Sequence, residues 1–310
     1  MPVFRLIVSL LLFSIAAGPL QAAERPRLQG DGVTVVHDAS LQRQAELLAG
    51  FYPRIRAELE DKIGWKLRTK PVVFLIADNG EFVRMGGNSA IAAFASFPKG
   101  HIIVNMDSIT PHFILLSRTF RHELVHVLLH EHIRGRNLPH WLDEGVSEWA
   151  GAGEEKNLAD RIGEFTTAFG LHRNAVPLEQ LSQSFPRSGR GTLLAYTESR
   201  NFIEYVVSRY GKDGLTNVLA RLEKGDVIDR AFLNALSTPL PTVEKQWRDD
   251  LRHKVRWLAW AAELPARATG AATFLRRLPE THPEEICAAL AGFLVLLACW
   301  KAARRRKPQP

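Results

Sequence analysis

The clearest chemical signal in the chain is the segment Arg121-His122-Glu123-Leu124-Val125-His126. His122 and His126 are four residues apart, so on a helix they share one face, one turn apart, and their imidazoles can converge on one ion. Glu123, beside the first histidine, is placed to reach a water on that ion rather than the ion itself. This is the pattern of a zinc hydrolase with glutamate as the general base. Zinc with an open position needs a third protein ligand. The segment Trp141-Leu142-Asp143-Glu144-Gly145-Val146-Ser147-Glu148-Trp149 offers one on a following helix, far enough along for the chain to turn and return. Glu144 is the expected third ligand. Glu148, one turn on, is suited to accept the other ring N–H of a zinc-binding histidine and hold it in the ligating tautomer. Spacing alone leaves these two carboxylates interchangeable. Asp143 is a weaker ligand candidate, about 100° round the helix from Glu144.

The pattern around these residues supplies the elements that must hold them. Phe113, Leu116, Phe120, Leu124, Val127 and Leu128 recur at three- and four-residue steps, which predicts a helix from Thr110 or Pro111 to about His132. A second helix is expected from Pro139 or Leu142 to Gly151. Upstream, Val33 to Val36, Val72 to Ile76 and His101 to Met106 read as strands. A helix to about Lys62 lies between the first two, and Pro53 is expected to interrupt it and start a second helix. Gly86 to Gly100 reads as a long surface loop, and His101 to Met106 as an edge strand able to pair with an extended peptide. Beyond residue 154 the pattern is mostly helical, with one apolar stripe on Phe202, Ile203, Val206, Val207 and Tyr210.

His122-Glu123-Leu124-Val125-His126 together with Trp141-Leu142-Asp143-Glu144-Gly145 resembles the gluzincin metallopeptidases, the thermolysin-like and aminopeptidase-like zinc proteases. The resemblance is closer to the bacterial peptidase MA-like domain of that clan. It implies a zinc-dependent metallopeptidase in which Glu144, the glutamate before the glycine, is the zinc ligand and Glu148 orients a zinc histidine. It also implies an α+β, zincin-like fold: a small mixed β-sheet packed on an active-site helix, then a mainly helical second half. The family uses a further Tyr or His against the developing oxyanion, a role the resemblance gives to Tyr196, with His172 and His101 as alternates. His130, His132 and His140 are read as solvated or packed, with a second, weaker metal as the alternative, and Trp141 and Trp149 as core.

The two ends read differently. Arg5, the apolar run Leu6 to Ile15, Pro19 and the small pair Ala22-Ala23 follow the order of an export signal cut after residue 23. Near the other end, Ile286 to Trp300 is apolar and without charge, and Lys301, Arg304, Arg305, Arg306 and Lys307 follow. That predicts a C-terminal transmembrane helix over residues 284–301 with a basic cytoplasmic tail. The expected organisation is therefore a signal peptide (1–23), a linker (24–31), the α+β half (32–153), the helical half (154–256), a connector (257–283), the membrane span (284–301) and the tail (302–310).

Composition closes off other classes. With 46% apolar and 24% charged residues in 310, wholesale disorder is excluded. Two cysteines, Cys287 and Cys299, exclude a disulfide scaffold and a four-cysteine zinc cluster. Of the net charge of +7, five units sit in the last ten residues, leaving +2 for the rest. No basic stripe runs through the body, so nucleic acid is not an expected partner. The expected protein is a bacterial-envelope zinc metallopeptidase acting on a peptide or protein substrate, its body in the periplasm or otherwise outside the cytoplasmic membrane, with the lipid bilayer as a second partner. The alternative is a non-catalytic, zinc-stabilised envelope module that binds protein partners.

Overall fold

The structure is a computed structural model that describes residues 25–88, 91–97, 99–109, 113–133, 137–152, 170–171, 174–186 and 189–267. Five strands form one mixed sheet: β1 (Arg27–Gln29), β2 (Thr34–His37), β3 (Val72–Ile76), β4 (Ala93–Ser96) and β5 (His101–Asn105), in the order β1-β2-β3-β5-β4. The three inner strands are parallel, and β1 and β4 run antiparallel along the two edges. Parallel neighbours need a crossover, which α1 (Gln42–Ile63) supplies between β2 and β3. The period of two divides the inner strands between two faces. Val35, Val73, Leu75, Ile102 and Val104 point into the main core, while Ile76 and Ile103 meet Phe82 on the other side. Phe82 belongs to the short helix α2 (Asn79–Arg84), whose first turn is capped by Asp78 accepting the Glu81 N–H at 2.7 Å.

α1 buries Ala45, Leu48, Phe51, Tyr52, Ile55, Leu59 and Ile63 against the sheet and stops at Gly64, whose φ of 81° suits glycine. Pro53 does not start a second helix: it sits inside one continuous helix. Tyr52 and Ile55 on either side of it are fully buried, and that packing holds the turn where proline removes a backbone hydrogen bond. After α3 (Met106–Ile109) the chain enters α4 (Phe113–His132), which crosses beneath the sheet. Leu116, Phe120, Leu124, Val127 and Leu128 bury its sheet-facing stripe, and Val125 and Leu129 are buried as well because a further helical layer covers α4. That layer begins with α5 (His140–Gly151) and continues as α6 (Gly189–Glu223), α7 (Ile228–Leu236) and α8 (Leu240–Arg267). α6 bends at Gly211, where φ is 77° and ψ is 170°. Trp141, Phe202, Phe232 and Trp247 interlock in its centre, with Phe202 5.3 Å from Trp141 and 5.5 Å from Trp247.

Three sequence expectations change here. The segment Gly86 to Gly100 is not loop throughout, because it contains β4. β5 is not an edge strand: β3 and β4 flank it, and the edge is β4. Arg27–Gln29, inside the expected linker, pairs with β2.

The fold is a mixed sheet followed by a helical region, and this corrects the expected class in one respect. Among the described residues no helix is long and apolar enough to cross a membrane. The longest, α6 and α8, carry charges along their length, such as Glu244, Lys245, Arg248, Asp249, Asp250 and Arg252 on α8. Each charge at a bilayer centre costs about 2.5–3.5 kcal/mol. The expected C-terminal transmembrane helix is therefore not part of the observed fold. The bilayer partner, the membrane-anchored function and the anchored envelope location rested on that helix, and no helix among the described residues supports them. The segments at 284–301, 1–23 and 302–310 lie outside the described residues.

Two outcomes test this packing. A Cβ on Gly145 would stand 2.7 Å from the Ser199 carbonyl oxygen and 2.9 Å from Ile203 Cγ1, so α5 and α6 meet there with no room for a side chain. Gly145→Ala is expected to lower unfolding stability by about 1–3 kcal/mol; an unchanged urea midpoint would show that the helices part freely. Glu198 is fully buried under the same contact, with Oε2 accepting the Val176 N–H at 3.2 Å and Arg248 Nη2 3.9 Å from Oε1. Burial pushes its carboxyl up to about 7, against the lowering effects of the Val176 N–H and Arg248. The folded state thus prefers the neutral acid. The resulting penalty is absent below the unfolded value near 4.5, grows as pH rises and is complete above about 7. Glu198→Gln should stabilise the protein more at pH 8 than at pH 5, by up to about 3 kcal/mol. Equal shifts at the two pH values would refute this.

Candidate metal centre

α4 and α5 bring three ligand atoms to one point. His122 Nε2 and His126 Nε2 are 3.0 Å apart, and Glu144 Oε2 stands 3.4 Å from the first and 3.5 Å from the second. A tetrahedral ion with bonds of about 2.0–2.1 Å spaces its ligands by about 3.3 Å, so the set matches a divalent metal in size. Its chemistry fits too. His126 Nδ1 donates to Asp143 Oδ1 at 2.6 Å, which in the neutral ring leaves the lone pair on Nε2, facing the shared point. Glu144 Oε2 is buried and has no hydrogen-bond partner. Two imidazoles and one carboxylate compatible with a metal ion therefore converge here. Glu144, not Glu148, is the carboxylate that faces both ring nitrogens.

Side-chain contacts fix the cluster in place. Ser147 Oγ lies 3.2 Å from His126 Nδ1. Glu148 Oε1 lies 3.5 Å from His122 Nδ1, and its Oε2 lies 3.7 Å from Arg118 Nη2. The Arg121 guanidinium pairs with Glu58 and ties α4 to α1. Gly151 lets the end of α5 rest on the α4 backbone, since a Cβ there would lie 3.1 Å from the Cα and N of His122.

The charges are strongly coupled. Burial raises the Asp143 carboxyl, but the His126 charge and the hydrogen bonds from His126 and His130 hold it far below the usual carboxylate range. Burial likewise raises Glu144, yet the facing His122 and His126 rings bring it down to about 2, so it is ionised at neutral pH. Burial lowers His126, and Asp143 and Glu144 outweigh it, leaving the ring well above the ordinary histidine value. An arriving cation would take over that balancing charge and displace the proton. Glu123, 7% exposed, is raised by burial against the opposing fields of His126 and His122.

The remaining expected residues are distributed around this centre. Tyr196, on α6, is half-buried with its ring edge-on to Phe185 at 5.0 Å, and Phe185 lies 4.4 Å from the His140 ring. Burial and then the carboxylates of Glu144, Glu123, Glu148 and Asp143 push its phenol well up, which puts the tyrosine within the electrostatic reach of the cluster. His140 Nδ1 is 3.9 Å from Glu144 Oε1. His101 is elsewhere, at the start of β5 against Phe74. His172 lies outside the described residues. His132 is packed flat on Trp65 at 4.4 Å and bonded to Glu223, away from the site. Trp141 is core, whereas Trp149 is partly buried beneath Lys62. Sequence reasoning missed the part played by Asp143 and His130: Asp143 Oδ2 accepts from His130 Nε2 at 2.8 Å. The four-residue step from His126 to His130 was the available signal.

Comparison with known proteins gives a family. A family described as the Peptidase MA superfamily matches residues 87–253, more than half of the chain and the whole of the site. Among solved structures, one similar chain is a mutant M1 zinc metallopeptidase from Deinococcus radiodurans bound to a Tyr-Ser-Ala substrate, at 17% identity and a TM-score of 0.45. The match covers 74% of this chain and 50% of that one, so this chain spans about half its length. No curated protein matches.

Removing the carboxylate that orients His126 tests the centre. Asp143→Ala should weaken divalent-metal affinity by about 10–100-fold in competition with a chromogenic chelator. Parent-like affinity would mean that the 2.6 Å bond to His126 does not prepare the ligand.

Proposed function

Since the chain belongs to the peptidase MA superfamily, we propose that it hydrolyses peptide bonds with a zinc ion held by His122, His126 and Glu144. The observation that carries this reading is the convergence of Nε2, Nε2 and Oε2 within 3.5 Å, with the buried Glu123 carboxyl next to the first ligand in sequence. Zinc bound there would supply Lewis-acid polarisation of a carbonyl and a lowered pKa for water.

The chain's own residues do the rest. Glu123 is the general base that takes a proton from the attacking water, and it returns that proton to the departing amine. Its burial supports this role, because a carboxylate kept from bulk water exchanges its proton with the reacting groups in preference to solvent. Asp143 and Glu148 hold the two imidazoles by their Nδ1 atoms and so aim Nε2 at the ion. Tyr196, from the α6 side, donates its hydroxyl proton in a hydrogen bond to the oxyanion that develops at the scissile carbon. Burial and the nearby carboxylates keep that phenol protonated at any working pH. The substrate lies in extended form along β4, an antiparallel edge of the sheet among the described residues.

The test is a paired measurement on the full chain. The parent should contain one zinc per chain and cleave unstructured peptides. Glu123→Gln should keep the zinc and lose turnover by at least about a hundredfold. Undiminished cleavage by that variant, or a parent that takes up no zinc, would overturn the proposal.

A further inference from the structure

Asp143 spends both oxygens on histidines: Oδ1 on His126 at 2.6 Å and Oδ2 on His130 at 2.8 Å. A carboxylate only accepts, so His130 must present Nε2–H to it. His130 stands one helical turn beyond His126 on α4. Its ring is not loose: Phe97 stacks on it with centroids 4.0 Å apart and planes 15° apart. Phe97 is the residue after β4, the edge strand of the sheet. The three groups His126, His130 and Asp143 also lie close enough to be read as a second metal set. Their lengths argue otherwise. Both contacts, at 2.6 and 2.8 Å, are hydrogen bonds with a proton available for each, whereas the three atoms of the first cluster stand 3.0–3.5 Å apart around a shared point.

We propose that His130 is a positioning residue for the metal centre: clamped by Phe97 at the end of the edge strand, it donates to Asp143 and thereby fixes the orientation in which His126 offers Nε2. This deepens the zinc-peptidase reading and rests on it. The physical reason is rotational. A carboxylate held by one hydrogen bond can turn about its own Cβ–Cγ axis and let the His126 ring follow. A second donor on the other oxygen removes that freedom, and the aromatic stack removes it from the second donor. Ser147 Oγ, at 3.2 Å from His126 Nδ1, is too short a side chain to replace the pair.

Two substitutions separate this role from simple packing. His130→Phe keeps an aromatic ring against Phe97 and deletes the donor. His130→Gln gives up the ring and keeps an N–H that reaches Asp143. Zinc affinity is read by chelator competition, the cobalt-substituted protein by its visible absorption, and folding by the thermal midpoint. His130→Phe is expected to weaken zinc binding about tenfold and alter the cobalt bands with a nearly unchanged midpoint; His130→Gln, which keeps the donor without the clamp, should bind zinc more tightly than His130→Phe and more weakly than the parent. Peptide cleavage should follow in kcat, with KM little changed. Parent-like zinc affinity in His130→Phe, or a His130→Gln variant as weak as His130→Phe, overturns the inference. In that case a parent that still holds zinc and needs Glu123 for cleavage keeps the peptidase reading intact. A parent that binds no zinc removes both.

Discussion

Two imidazole nitrogens and a carboxylate oxygen held within 3.5 Å of one another, with Glu144 and His126 largely withdrawn from water, repel unless positive charge lies among them. The fold has to enforce that arrangement before any chemistry follows. It does so through backbone proximity more than through long side-chain bridges. Gly145 lets α6 press α5 from outside, and Gly151 lets α5 press on α4 at His122. A side chain at either glycine would hold the helices apart by more than the tolerance of a metal site. The sheet contributes by immobilising α4 itself, through Phe120, Leu124 and Val127, and the Arg121–Glu58 pair stops α4 from turning about its axis.

The buried carboxylates show a division of labour. Asp143 and Glu144 are neighbours in sequence and both stay ionised, each because imidazoles face it. Successive positions on a helix differ by about 100°, so Glu144 reaches the ring Nε2 atoms while Asp143 reaches the Nδ1 side. His126 is thereby gripped from both ends by Asp143 and Glu144, and His122 lies likewise between Glu144 and Glu148. Glu198 has Arg248 only at 3.9 Å and no imidazole against it, and burial drives it, like Glu123, toward the neutral acid.

The histidine–glutamate–histidine segment was legible because helical periodicity alone puts residues four apart on one face. Its partner on α5 was legible down to a choice between two carboxylates, and distance separates them. The strand pattern was legible for β2, β3 and β5, whose β-branched runs are buried between helices and α2. It was not legible for β4 or β1. These are four and three residues long, without a strong apolar alternation, and they exist because a neighbouring strand accepts them. Pro53 misled for a related reason: local propensity argues for a break, and burial of the flanking residues overrides it. Asp143 was judged by its angle from Glu144 as a competing ligand, which obscured that the same angle suits it to grip a ring from behind. The transmembrane expectation came from a stretch beyond the described helices, and none of those helices is apolar enough to support it.

His122, His126 and Glu144 all belong to one helical hairpin, α4 and α5. The loop that closes between the first and last of them is short, so its closure entropy is small, and ion capture needs little long-range search by the chain. The tight approach of α5 to Ser199 and Ile203, by contrast, brings together segments more than fifty residues apart. During synthesis the ligands therefore emerge from the ribosome well before the helix that shuts them in.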